Sequence, residues 1–266
     1  MGGWRLLVSV LVVLVLGASW HGALAQEAKV GVFVMHGKGK KSYVGGLANA
    51  LEKRGYLVAN PGMAWGAREY DVSVEQSDVE IENGLKALRD KGARRVFLAG
   101  HSIGAVVAIH YAVAHPLDGV IAIAPGAFPE NPTYIKTLAD EVQKLRDAVT
   151  AGRGGEKITF REFEPHVGRF PVRAPAAAIL SYFEPEGPLN FKRNIAALPP
   201  ELPVLYIVSS GDVAHGFGVY SKNLFSAVPK NPLTRLFEPQ VEHFDAPTAS
   251  IDETVAFIES VVASRP

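Results

Sequence analysis

The first half of the chain alternates short, continuously apolar runs with longer stretches of helical character, and this alternation limits the fold more than any other feature. Residues 29–35 (KVGVFVM), 56–59, 95–99 and 119–124 are rich in Val, Ile, Leu and Ala, and three of them end in turn signals: His36-Gly37, Asn60-Pro61-Gly62 and Pro125-Gly126. Their apolar residues do not alternate with polar ones, as they would in a strand with one wet face. Between these runs, Ser42 is placed to cap a helix reaching Arg54, with Gly55 as its stop. Residues 74–90 form a longer amphipathic helix with Gly92 behind it, and residues 103–115 a helix ended by Pro116. Strands buried on both faces and linked by helices form a doubly wound, mostly parallel α/β sheet.

The alternation stops at about residue 127 and resumes at about 200. The intervening region has one clear helix (132–149), the glycine-rich 152–155, and then a proline- and aromatic-rich stretch. It reads as a cap inserted over the sheet edge. It shows no strands of its own, which argues against a second domain. Residues 203–208 and 234–237 supply two more strands, and a helix over 247–263 closes the fold.

Before the first strand, Arg5 precedes an apolar run from Leu6 to Leu16 broken only by Ser9, and Ala23-Leu24-Ala25 offers a small-x-small site. This is the pattern of a signal peptide over residues 1–25, cleaved after Ala25, and it places residues 26–266 in the periplasm or outside the cell. An uncleaved anchor is the competing reading. No later apolar stretch is long enough to span a bilayer. The chain has no cysteine, so it folds without disulfides. Its 27 basic and 27 acidic residues build no broad basic field for nucleic acid.

Gly100-His101-Ser102-Ile103-Gly104 fits G-x-S-x-G, with a strand leading in and a helix leading out. A sharp strand-to-helix turn of this kind exposes a serine hydroxyl at the carboxyl end of a sheet, and glycines on either side remove side chains that would collide. A serine needs a neighbouring base. His243 lies after the last strand and before the last helix, which makes it the candidate. His215 is its rival, and His101, His110 and His115 fit the role less well. Asp212, at the carboxyl end of its strand in Ser209-Ser210-Gly211-Asp212, is the candidate acid ahead of Asp245 and Asp118. Two backbone N–H groups would hold the oxyanion, those of Ile103 and of Lys38, with Gly39 as a substitute for the second.

Together His36-Gly37, the Ser102 motif, Ser210-Gly211-Asp212 and Glu242-His243-Phe244 resemble the α/β-hydrolase superfamily over about residues 29–263. The resemblance implies a cap between the sixth and seventh sheet strands of that fold, and esterase- or lipase-like chemistry. His36-Gly37 is followed by Lys-Gly-Lys-Lys, which separates the chain from the HGGG esterases. Ser102 separates it from branches with cysteine or aspartate at that place. The expected activity is hydrolysis of a small or lipid-like carboxylic ester through an acyl-enzyme, with no metal or organic cofactor. An amidase or peptidase, or a binding protein that has lost turnover, are the alternatives. His36, Trp65, Tyr182, Phe183 and His215 are candidate pocket residues. Lys38, Lys40 and Lys41 would either draw an anionic substrate or form a solvated loop.

Overall fold

A computed structural model describes residues 29–39, 41–165, 167–214 and 216–264. The proposed signal peptide, Lys40 and His215 lie outside these residues. Six parallel strands form one sheet in the order β2-β1-β3-β4-β7-β8. They are β1 (Lys29–Met35), β2 (Leu57–Ala59), β3 (Ala93–His101), β4 (Gly119–Ile123), β7 (Val204–Ile207) and β8 (Arg235–Phe237). The helices between them are α1 (Gly45–Lys53), α2 (Val74–Asp90) and α3 (Ile103–Ala112); after β7 come α7 (Ser210–Ala214) and α8 (Phe217–Leu224), and after β8 come α9 (Ala246–Ala249) and α10 (Ile251–Ser264).

Each central strand divides its side chains between two cores. Val32 and Val34 of β1 join Phe97, Ile121, Leu205 and Phe257 on the side of α1 and α10. Phe33 and Met35 join Leu98, Val120 and Tyr206 on the side of α2 and α3. This two-sided burial is the reason the strands carry no polar alternation. Helix α2 begins with a reciprocal cap: Ser73 Oγ accepts from the Gln76 N–H, and Gln76 Oε1 from the Ser73 N–H. It packs closely against β1, because a Cβ on Gly84 would lie 2.0 Å from the Phe33 ring. Helix α3 is apolar nearly all round and is buried on almost every side.

The insertion lies between β4 and β7. It contains α4 (Pro132–Thr150), an antiparallel hairpin of β5 (Lys157–Glu164) and β6 (Gly168–Pro175), and then α5 (Ala176–Phe183) and α6 (Phe191–Ala196). The hairpin corrects the expectation that this region has no strands. KITFREFE shows no one-sided apolar pattern, and GRFPVRAP carries two prolines, so neither reads as a strand from sequence. In β5 the inward positions are Phe160, Glu162 and Glu164. Two of the three are acids, which inverts the usual hydrophobic signal.

Candidate active site

The carboxyl ends of β1, β3, β4 and β7 lie side by side, with Met35 in register with Gly100 and His101 with Ile123. Ser102 follows β3 directly with φ 56° and ψ −123°, in a region that side chains other than glycine seldom enter. Its N–H donates to Ile123 O at 2.9 Å, so the turn is pinned to β4. The flanking glycines are sterically required: a Cβ on Gly100 would meet Gly104 O at 2.1 Å, and one on Gly104 would meet His36 O at 2.7 Å. Ile103 opens α3, so its N–H is among those a helix leaves without an internal acceptor.

The loop after β1 runs directly over this turn. A Cβ on Gly37 would lie 2.8 Å from Ser102 Cβ. His36 is buried and serves as a brace: its Nε2 accepts from the Met63 N–H at 2.9 Å, and its carbonyl accepts from Trp65 Nε1 at 2.6 Å. The accepting Nε2 places the proton on Nδ1. Burial holds this imidazole below the usual histidine range.

His243 and Asp212 meet above the same strand ends. His243 Nδ1 lies 2.9 Å from Asp212 Oδ2, and both residues are buried. Asp212 sits in α7 and not in a plain turn, and His243 opens a 3-10 turn over His243–Asp245. Ser209 escaped the sequence reading. Its Oγ donates to Asp212 Oδ2 at 2.6 Å and fixes the carboxylate. The available signal was its place three residues before the aspartate. Gly126, after β4, faces the meeting point: its Cβ would lie 3.3 Å from Ser102 Oγ and 3.8 Å from His243 Cε1. The serine hydroxyl and the far edge of the imidazole therefore border the same small space.

The other candidates fall elsewhere. Asp118 accepts from the Val96 N–H and pairs with Arg95, at the opposite end of the sheet. His110 pairs with Asp78, and His115 stacks on Tyr111. His101 packs against the His243 ring, and its Nε2 donates to His243 O at 3.0 Å. Burial, reinforced by repulsion from His243, lowers its pKa to about 3, so it stays neutral.

A cavity of about 330 Å³ opens above Ser102 and His243. Trp65, Tyr70, Phe170 and Phe244 line it, together with Lys38, Glu162 and Glu164. Tyr182 and Phe183 do not reach it. They pack edge-on against Tyr70 from behind, and Tyr182 OH is bonded to Ser77 Oγ at 2.7 Å. The sequence signals only that they are aromatic, not which way they face. Lys38 is neither a solvated residue nor an open anion site. Its ammonium lies 2.5 Å from Glu162 and 3.8 Å from Glu164, with the side chain only 7% exposed. Burial alone would lower its pKa, but the charges of Glu162 and Glu164 raise it above the usual lysine range. Lys41 is exposed.

The sequence pattern of the Alpha/beta hydrolase family matches residues 32–249. No curated protein matches in sequence. Among solved structures, a monoacylglycerol lipase from Paleococcus ferrophilus is 21% identical, covers 88% of this chain and 94% of its own, and superposes with a TM-score of 0.60. A thermostable carboxyl esterase from Bacillus coagulans is 17% identical over 90% of this chain and 92% of its own, with a TM-score of 0.59. The alpha/beta hydrolase GrgF from Penicillium sp. sh18 is 14% identical over 90% of each chain, with a TM-score of 0.64. The strand order, the elbow at Ser102 and the extent of the match agree: this chain belongs to the alpha/beta hydrolase family.

Proposed function

We propose that the protein hydrolyses small carboxylic esters, with Ser102 as nucleophile, His243 as general base and Asp212 as the acid that orients it. The observation that carries this reading is the convergence over Gly126 of a serine in an elbow conformation and an imidazole held by a buried carboxylate. In the proposed cycle Ser102 Oγ attacks the ester carbonyl carbon while His243 Nε2 takes its proton. Asp212 accepts from Nδ1–H and offsets the charge the ring gains. The N–H groups of Ile103 and Lys38 receive the oxyanion, supported by the positive end of α3. The imidazolium then protonates the departing alcohol, and water repeats the sequence to release the acid.

The cavity supports the substrate class. Its wall includes the aromatic side chains of Tyr43, Trp65, Tyr70, Phe170 and Phe244 with Val167 and Val172, and it lies at the small end of ligand pockets. The net acidic surroundings of Lys38 speak against a substrate held by its carboxylate or phosphate. The esterase and lipase neighbours support ester chemistry over other uses of the fold. The apolar leader at residues 6–16 supports action outside the cytoplasm.

The test is labelling with a fluorophosphonate, followed by peptide mapping and assay on short and long p-nitrophenyl esters. Ser102 should be modified, Ser102→Ala should lose labelling and turnover by 10³-fold or more, and His243→Ala should be slowed similarly. A folded protein that neither labels nor turns over esters would sink the reading. Turnover of amides in preference to esters would move it to an amidase.

A further inference from the structure

The proposed cycle uses only the backbone of Lys38, yet its side chain is buried and held by several groups of the cap. Gly37 is pressed against Ser102, and further along the chain Tyr43 stacks on Phe244 at 4.5 Å and Val44 is buried. Gly39 has φ +78° and open space where a side chain would stand, and Lys41 is exposed. Between these points the Lys38 ammonium ties the loop to the cap, where it meets three acceptors on β5. These are Glu162 Oε1 at 2.5 Å, Phe163 O at 3.2 Å and Glu164 Oε2 at 3.8 Å. The Tyr134 and Phe183 rings flank it at 5.8 and 5.4 Å. Glu162 is fixed in turn by Tyr70 OH at 2.6 Å, and Tyr70 itself has φ 61°.

Burying a lysine and two glutamates is a poor way to gain stability, because loss of hydration offsets most of the attraction, and apolar residues of similar size serve as well or better. What such a pair does supply is direction. We propose that Glu162 is a positioning residue for ester hydrolysis: through the Lys38 ammonium it holds the residue-38 N–H where the oxyanion forms, so that the cap sets the turnover rate. This proposal rests on the hydrolase reading of Ser102, His243 and Asp212. It assigns to β5, which carries none of these three, a share in the alignment of the reacting carbonyl, where a displacement of about 1 Å costs on the order of 100-fold in rate.

The experiment compares wild type, Glu162→Gln and the double variant Lys38→Met/Glu162→Leu on a short p-nitrophenyl ester, with kcat, KM, the rate of fluorophosphonate labelling and Tm read for each. Lys38→Met keeps the backbone N–H. Glu162→Gln should lower kcat about 10- to 100-fold and slow labelling in parallel, with KM moved less than about threefold. It should also lower Tm, because Lys38 is left buried without its closest carboxylate partner. The double variant removes the closest pair and leaves only Glu164, 3.8 Å from the lysine position, without its cation, so it should recover part of the Tm while kcat stays low. A double variant that regains both Tm and kcat would show a purely structural pair and overturn the proposal, as would a Glu162→Gln enzyme with kcat within twofold of wild type. If Glu162→Gln does not fold, the double variant alone decides. Wild type that fails to label at Ser102 would instead bring down the hydrolase reading, and the positioning role with it.

Discussion

The sheet and the cap bury their inner faces by different chemistry. In β1, β3, β4 and β7 the inward residues are Val, Ile, Leu, Phe, Ala, Met and Tyr, packed from both sides, and the candidate catalytic residues follow the strand ends. Ser102 is placed by its elbow and its bond to Ile123, and the other members by the ends of β7 and β8. In the cap, β5 turns Phe160, Glu162 and Glu164 inward, and its grip on the site is the Lys38 ammonium, held by Glu162, Glu164 and Phe163 O. Apolar packing tolerates many sequences and fixes an architecture, whereas a buried charge pair admits few alternatives and fixes an orientation.

The largest effect that would sharpen this contrast comes from glycine. Gly100→Ala drives a methyl into the Gly104 backbone, which cannot step aside, and is expected to remove more than about 4 kcal/mol of stability or prevent folding. Gly168→Ala in the hairpin meets open space and only the strain of φ +92°, for a loss of about 1 kcal/mol. Urea midpoints of the two variants decide the matter, and comparable losses would break the distinction.

Acid should act next, through the sheet side. His101 is faced by His243, Asp212 and His36, and its pKa of about 3 lies below the ordinary 6.5. Between those values the unfolded chain binds the extra proton, so stability is complete above about pH 6.5 and declines as pH falls toward 3. Tm of wild type and His101→Gln between pH 7.5 and 4 should diverge, with the variant less sensitive. Parallel curves would remove His101 as the cause.

A smaller effect is expected at Ser209→Ala, which removes a donor to the Asp212 carboxylate and the side-chain acceptor of the Asp212 N–H. The expected loss is about tenfold in kcat together with about 1 to 3 kcal/mol of stability, because both partners are buried. An unchanged kcat would mean that the carboxylate is held adequately without it. The smallest effect is expected at the cap rim. Val167, 67% exposed at the hairpin turn, borders the cavity, and Val167→Ser should raise KM for apolar esters two- to threefold with stability changed by less than about 0.5 kcal/mol. A larger change in Tm than in KM would make the hairpin tip a structural element.

The same contrast explains what could be read from sequence. Six strands, α2 with both its ends, and the meeting of Ser102, His243 and Asp212 were legible because they follow from apolar runs and from positions at strand ends. Residues 157–175 were not, because charge on an inward face makes sense only with Lys38 beside it, more than a hundred positions earlier in the chain. The Lys38 side chain is illegible for the same reason: a KGKK loop resembles solvated surface until its partner is known. Trp65 lines the cavity as expected, while Tyr182 turns toward α2 and Phe183 toward Phe160 of β5.

The sheet also ends in a particular way on both sides. Its outermost strands, β2 and β8, are three residues long, and each is followed closely by proline, at Pro61 and Pro239. A strand from a second copy would find only a few free backbone groups to pair with before reaching a residue that has no N–H to give. Edge-to-edge stacking of this sheet, the usual route from an open sheet to fibrils, is therefore closed at its first step.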